Sequence, residues 1–288
     1  MKYKHSITLF LLLFSVQLFG QQKIAEISKK ELRKSRPTYI NIGMGFSYSY
    51  FRDFATSPLI YHGLPVTLSL SRLKFDKKRE SIFGVNYSIG SYSTLLAENN
   101  TSSIANTFAL NYTQLYQILE QPTEKWNFKI GGTFNSITNV RINGEFQNNA
   151  LGLESISTIF VSAKISRDLS RTELKEKKLI FFNYQLKPKK RILSYQLNLA
   201  VMNNTLRNGY IYNDQAAITN EFAIFDNYVF KVFSGYRINS SLNYNIYLKN
   251  CNAMRISYIW DAYKTGGDLD KFEMASHNLQ FSLLFNTK

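Results

Sequence analysis

The chain has 288 residues, of which 35 are Lys or Arg and 20 are Asp or Glu, so its formal net charge is +15 at pH 7. The single cysteine, Cys251, excludes an intramolecular disulfide and therefore a disulfide-stapled secreted domain. Beyond residue 20, no apolar stretch approaches the ~20 residues that a transmembrane helix requires. Any membrane insertion must therefore use β-strands, because only helices and closed barrels satisfy every backbone polar group in hydrocarbon.

The N-terminus has the pattern of a secretory signal peptide. Lys2 and Lys4 precede an apolar run that ends at Gly20, the expected cleavage point. A retained membrane anchor is the alternative, but the run is shorter than the ~20 apolar residues of a membrane span. We predict a signal peptide at residues 1–20, followed by a basic periplasmic segment at residues 21–37. In an exported chain, the positive charge does not indicate a nucleic-acid partner.

From Tyr39 onward, apolar and polar residues alternate with a period of two. Successive side chains on a β-strand point to opposite faces of a sheet, so this alternation predicts strands. Ten segments carry it: 39–51, 64–73, 81–92, 104–118, 126–134, 157–166, 192–201, 234–248, 254–263 and 277–285. Their lengths suit tilted membrane strands, and no amphipathic helix separates them. We therefore predict an all-β fold, an antiparallel transmembrane β-barrel.

The connections between these segments alternate in length and charge. Short basic connections include 74–80 and 187–191, whereas longer polar connections include 94–103, 141–150 and 203–226. Short turns at one end and long loops at the other are typical of bacterial outer-membrane barrels, and a soluble sandwich would not require this asymmetry.

These features together resemble the integral outer-membrane β-barrels of Gram-negative bacteria. In the final segment, HNLQFSLLFNTK, Leu279, Phe281, Leu283 and Phe285 alternate as in the last strand of that family, although Lys288 stands in place of the terminal aromatic residue. The resemblance implies a barrel in the cell outer membrane, contact with outer-membrane lipid, and recognition by the barrel-assembly machinery. It also implies that both chain termini lie in the periplasm.

Termini on the same side require an even number of strands. We predict that residues 38–288 form about ten strands. Twelve is the alternative if residues 179–186 and part of 220–231 add a pair.

Five charged residues fall on the parity that faces away from lipid: Lys129, Lys164, Arg237, Arg255 and Asp261. If residues 140–150 close a hairpin, Lys129 and Lys164 lie opposite each other and require water, a carboxylate or an anion between them. Two interpretations remain open. The lumen is either basic and favourable to anionic solutes, or filled by polar side chains with counter-charges from other strands.

Aromatic residues near the strand ends on the apolar parity predict girdles at the membrane interfaces. We assign to these girdles Tyr39, Tyr48, Tyr50, Trp126, Tyr258, Trp260 and Phe285.

Catalytic chemistry has little support in the sequence. After residue 20 the only histidines are His62 and His277, and a triad of His62 with Asp53 and Ser57 could be drawn. An interfacial imidazole is the favoured interpretation of His62, and no cluster has metal-ligand spacing. We predict no catalytic residue, metal or cofactor.

Three hypotheses for function follow, in order of preference. The first is a non-enzymatic, narrow, porin-like channel or membrane scaffold. The second is a non-catalytic subunit of a larger cell-envelope complex with an envelope protein partner. The third is a lipid-modifying enzyme.

Overall fold

A computed structural model describes residues 36–96, 99–118, 125–145, 151–179, 182–208, 228–267 and 270–287. The predicted signal peptide and most of the predicted periplasmic segment lie outside these residues. None of the described residues form a helix that is long and apolar enough to cross a membrane. The strands are β1 (Thr38–Asp53), β2 (Ser57–Gly63), β3 (Val66–Phe75), β4 (Arg79–Leu96), β5 (Asn99–Gln117), β6 (Trp126–Ile142), β7 (Leu151–Asp168), β8 (Lys175–Leu179), β9 (Phe182–Leu186), β10 (Arg191–Asn208), β11 (Tyr228–Lys231), β12 (Tyr236–Tyr247), β13 (Ala253–Lys264) and β14 (Phe272–Asn286).

Antiparallel pairing closes these strands into a ring. Hydrogen-bonded neighbours run from β1 through β2 and β3 to β4, β5, β6 and β7, then to β10, β12, β13 and β14, which returns to β1. β2 and β3 share one position, because both pair with β1, on the halves near Asp53 and Thr38 respectively. The ring therefore has ten strand positions, and the prediction of a ten-stranded barrel is confirmed.

The segments considered for an additional strand pair stay outside this ring. β8 and β9 pair with each other as a separate two-stranded sheet. β11 pairs only with the last residues of β10, from Thr205 to Asn208. The twelve-stranded alternative is therefore wrong for the described residues.

Several strands continue into segments expected to be loops. β4 and β5 stay paired as far as Leu96 and Asn99, so much of the predicted loop 94–103 is a strand hairpin. β6 likewise continues to Ile142. At these ends polar residues lie on both faces of the sheet, so the period-two hydropathy signal fades while the backbone ladder persists.

One irregularity interrupts the pairing of β7 with β10. The register shifts between Ala200 and Met202, which leaves Val201 as an extra residue in β10. A β-bulge of this kind reverses the parity of the side chains that follow it. Asn198 faces inward before the bulge and Asn203 after it, so the apolar side chains of β10 stay outside.

The barrel is apolar outside and polar inside. On β1, Ile42 and Phe46 point outward with 53% and 60% of their surface exposed, whereas Ser47 and Ser49 are buried inside. A Cβ atom added at Gly45 would collide with the amide of Asn278 from the neighbouring strand. The inward residues in the middle of β1, from Gly43 to Ser49, are small because side chains from other strands already occupy the lumen there.

The two ends of the barrel differ. We call the end that carries Thr38 and Asn286 the terminal end, and the opposite one the distal end. The short basic connections lie at the terminal end. A buried apolar cluster, the terminal cluster, lies there and comprises Tyr39, Leu73, Tyr247, Ala253 and Leu284.

Tyr39 corrects one sequence assignment. It was expected in an interfacial girdle, but it shares the inward parity of β1 and stacks on Phe75 with 5.3 Å between ring centroids. At the other end, a second buried group forms the distal cluster, which comprises Phe51, Tyr61, Tyr92, Ala105, Ile156, Tyr263 and Phe272.

Candidate functional site

Four charged side chains meet inside the barrel at the distal end, and we call them the distal network: Asp53 (β1), Arg141 (β6), Glu154 (β7) and Arg207 (β10). Arg141 Nη2 donates to Asp53 Oδ2 at 2.5 Å and to Glu154 Oε2 at 2.8 Å. Arg207 Nη2 donates to Asp53 Oδ1 at 2.8 Å. Each of these side chains is at most 7% exposed, so the network is buried. Its two guanidinium groups balance its two carboxylates in formal charge.

Aromatic rings of the distal cluster flank these guanidinium groups. The Arg141 guanidinium carbon lies 4.5 Å from the ring centroid of Phe272 and 4.9 Å from that of Phe51. Arg207 lies 5.1 Å from the ring centroid of Phe272. Such cation–π contacts add to ion pairing where water is excluded. Ion pairs and aromatic rings therefore occupy the lumen together at this level.

A second charged contact lies nearer the middle of the lumen. Arg237, which is 1% exposed, donates to Asp261 through Nε at 3.0 Å and Nη2 at 2.6 Å. Its Nη1 atom donates to Asn135 Oδ1 at 2.6 Å. This guanidinium therefore links β12 and β13 to β6.

Beside Arg237 lies a central cavity of about 300 Å³, lined mainly by Asn, Ser, Thr and Gln side chains. Its lining is rich in hydrogen-bonding groups and suits water or a small polar solute.

A third group of charges lies near the terminal end. Lys129 and Lys164 face each other in register on β6 and β7. Glu80 on β4 reaches both: it accepts from Lys164 Nζ, and its Oε2 atom lies 3.5 Å from Lys129 Nζ. The two opposed lysines therefore share one carboxylate.

A second cavity, of about 480 Å³, opens beside Glu80, and we call it the vestibule. Its walls include Lys129, Lys164 and Arg255 together with the rings of Tyr39 and Tyr247. Lys164 and Arg255 also line the central cavity, so they lie where the two cavities adjoin.

The five charged residues singled out in the sequence all line these cavities: Lys129, Lys164, Arg237, Arg255 and Asp261. The distal network was missed, because Arg141 and Arg207 fall in segments expected to be loops. The inward parity of Asn135 and Asn139 continues to Arg141 and was the available signal.

The aromatic residues assigned to girdles, apart from Tyr39, lie on the outer face. Tyr48 and Tyr50 are exposed toward the distal end, where Trp260 on β13 and Tyr48 on β1 both pair with His277 on β14. Phe285 is exposed near the terminal end, where Trp126 begins β6.

The two histidines in the described part of the chain, His62 and His277, also lie on the outer face of the barrel. His62 Nδ1 and Tyr48 Oη are 3.0 Å apart, whereas Asp53 is buried in the lumen on the other face of the sheet. The structure therefore does not assemble a triad of His62, Asp53 and Ser57. Among the residues that the structure describes, no group of three or more His, Cys, Asp or Glu side chains could hold a metal ion.

Comparison with known proteins gives distant structural matches. No protein-family model matches the chain, and no curated protein sequence matches it. The transport unit of the autotransporter AIDA-I from Escherichia coli has a TM-score of 0.40 at 8% identity, with 93% of this chain and 92% of that chain covered. For the translocator domain of the autotransporter NalP from Neisseria meningitidis the values are 0.38, 7%, 91% and 95%. For the toluene transporter TodX from Pseudomonas putida they are 0.28, 8%, 87% and 89%.

The type of barrel is instead indicated by the pairing of its strands and by which side chains lie on each face of the sheet. Ten strand positions close into a ring, the exterior carries the large apolar side chains, and the interior carries the buried polar ones. Such an inverted distribution is stable only where the exterior contacts lipid. The chain is an integral membrane β-barrel with the architecture of outer-membrane barrels.

Proposed function

We propose that this barrel is a non-enzymatic, narrow channel for small polar solutes and that the structure represents its closed state. The central cavity carries this proposal, because a polar space of about 300 Å³ lies inside a membrane-spanning wall. The distal network and the distal cluster close it toward one end. The terminal end, which carries Thr38 and Asn286, faces the periplasm in this proposal.

The groups that meet across the lumen in the distal network are side chains from four different strands. Side chains can change rotamer without breaking the hydrogen bonds of the barrel wall. Asp53 and Glu154 offer the two guanidinium groups more than one partner, since Arg141 already bonds to both carboxylates. Rearrangement of these ion pairs would therefore open a path while the strands stay paired. Rings of charged side chains are a common means of ion selection in channels.

A second candidate, a subunit of a larger envelope complex, is supported by the β8–β9 hairpin. This hairpin extends from the terminal end and carries exposed Lys175 and Lys178, and exposed Lys187 follows it directly. Strands that pair only with each other contribute nothing to barrel closure, so a contact with an acidic envelope protein is a reasonable use for them. The barrel-assembly machinery is the other partner that we expect.

The channel is tested by recording currents from the purified, refolded protein in planar lipid bilayers. Asp53→Arg would place a third guanidinium against Arg141 and Arg207 and repel both. We expect the open probability to rise by about tenfold or more, since about 1.4 kcal/mol of lost closed-state stability changes the equilibrium tenfold. Glu273→Arg is the control, because Glu273 belongs to an ion pair with Lys264 that is partly exposed.

Folding of each variant is checked by the heat-dependent shift in gel migration that closed barrels show. Asp53→Asn replaces Asp53→Arg if the latter does not fold. If both the folded wild type and the folded Asp53 variant pass no current, the channel is excluded.

A further inference from the structure

We propose that the vestibule contains a binding site for a small oxyanion, a phosphate or a carboxylate, with the Arg255 guanidinium as its central ligand. The site would give the proposed channel its solute class, and to that extent the inference rests on the proposed function.

The charge of the vestibule is the first observation. Its lining has six basic residues against three acidic ones. The basic residues are Lys77, Lys125, Lys129, Lys164, Lys190 and Arg255, and the acidic ones are Asp76, Glu80 and Asp168. A cavity with a surplus of fixed positive charge and walls of low polarisability concentrates anions.

The bonding of Arg255 is the second observation. Its Nε atom donates to Asn245 Oδ1 at 2.7 Å, which fixes the orientation of the guanidinium group. Within the part of the chain that the structure describes, Arg255 has no ion pair, which would place a carboxylate oxygen within 4.0 Å of a guanidinium nitrogen. The neighbouring carboxylate, Glu80, already contacts Lys129 and Lys164. Arg255 therefore differs from Arg141, Arg207 and Arg237, each of which has a carboxylate partner.

The geometry of a guanidinium group explains the preference for an oxyanion. With Nε occupied by Asn245, the two terminal nitrogens remain to donate, and such a pair matches two oxygens of a phosphate or carboxylate. Lys164, which lines the same two cavities as Arg255, would supply a second positive charge. The vestibule volume of about 480 Å³ falls within the range of small-ligand pockets.

The position of the site adds a role in selection. Arg255 and Lys164 line both the vestibule and the central cavity. A solute that entered from the terminal end would meet them before it reached Arg237. The site would thus admit anions and repel cations at the inner boundary of the vestibule.

Isothermal titration calorimetry on the full-length, refolded protein in detergent tests the site, with inorganic phosphate and succinate as separate probes. We expect saturable binding of at least one probe and about tenfold weaker binding for Arg255→Gln, because a bidentate charged contact is lost. Arg255→Lys should keep part of the affinity, since it retains the charge without the fork. Glu80→Gln should strengthen binding, since it removes the nearest negative charge.

Arg72→Gln is the matched control, because Arg72 is exposed on the outer face of β3 toward the same end. Equal affinities for the wild type and Arg255→Gln, or no saturable binding of either probe, would overturn the proposal. Bilayer currents separate this outcome from failure of the channel. A protein that conducts without binding either anion refutes the site alone, and one that binds without conducting refutes the channel alone.

Discussion

Glu80 shows how single residues maintain the polar interior. Lys129 and Lys164 are directly opposite on adjacent strands, the arrangement in which like charges destabilise a sheet. Glu80 comes from β4, which is not adjacent to either strand, and its carboxylate lies against both ammonium groups. The lysines are 7% and 10% exposed, so solvent does little to screen their repulsion. The carboxylate of Glu80 therefore stabilises the β6–β7 pair from across the lumen.

Glu80→Gln removes that charge and should lower the free energy of unfolding by about 1–3 kcal/mol, the usual effect of leaving a buried polar group without its partner. Urea-dependent unfolding from lipid vesicles measures it. The double variant Glu80→Gln/Lys164→Met should recover part of the loss, because only one lysine then remains. Glu273→Gln is the control at an exposed pair and should change stability by about 0.5 kcal/mol or less. An equal loss in the single and double variants would contradict this account.

At this scale, the sequence predicts which way a side chain points but not which partner it meets. Parity places Lys129, Lys164 and Arg237 on the inner face, and the structure has them there. The contact of Glu80 with Lys164 depends on the stagger of strands that lie far apart in the ring. No local pattern encodes this stagger, so the ion pairs could not be derived from the sequence.

On β10, a single β-bulge keeps the polar side chains on the inner face and the apolar ones on the outer face along the whole strand. Residues up to Leu199 pair with β12, and residues from Thr205 pair with β11. Val201 is inserted between these two stretches and reverses the parity at the change of partner. Arg207 consequently points into the lumen, where it joins the distal network.

Deletion of Val201 should be tolerated, because the remaining residues keep their pairing with β7 and their facing. We expect the gel-migration shift of the folded barrel to persist. Deletion of Val85 is the control, since β4 pairs without a break with β3 and β5. A one-residue slip there turns apolar side chains inward and polar ones outward, which should prevent folding. Equal loss of the folded form in both deletions would show that the bulge itself is required.

The extent of the strands was harder to predict than their number. Alternation is clear wherever one face contacts lipid, which is why ten segments could be recognised. Toward the distal end of β7, inward Glu154 alternates with outward Ser155, and both are polar. Hydropathy cannot distinguish such a strand from a loop, although its backbone pairing is complete.

At the scale of the whole molecule, the described strands form a closed ring, with β11 paired to the end of β10, and an appended hairpin. The ring depends on every one of its ten positions, because a missing strand exposes two backbone edges to hydrocarbon. The hairpin of β8 and β9 pairs only within itself, apart from an isolated bridge between Arg171 and Lys189 at its base. The hairpin can therefore be removed without deleting a strand of the ring.

Replacement of residues 174–187 by a short Gly-Ser linker should leave the barrel folded and its bilayer currents unchanged. If the hairpin contacts an envelope protein, copurification of that protein from native membranes should be lost. The control is removal of residues 272–288, which deletes β14 and should abolish the folded form. Loss of folding in the hairpin variant would show that the hairpin supports the ring.

The seam between β2 and β4 has a dynamic consequence for the wall. In the described residues these two strands are joined only where His62 meets Ser93 and Gly63 meets Tyr92. The rest of β2 pairs with β1 on one side only. Leu64 and Pro65 separate β2 from β3 along the chain. Amide hydrogens along β2 should therefore exchange with solvent deuterium faster than those of β1 or β5, since local opening there breaks fewer bonds. This part of the wall lies at the distal end, where Asp53 pairs with Ser57 and joins the distal network, so local opening of β2 would give solvent access to the network.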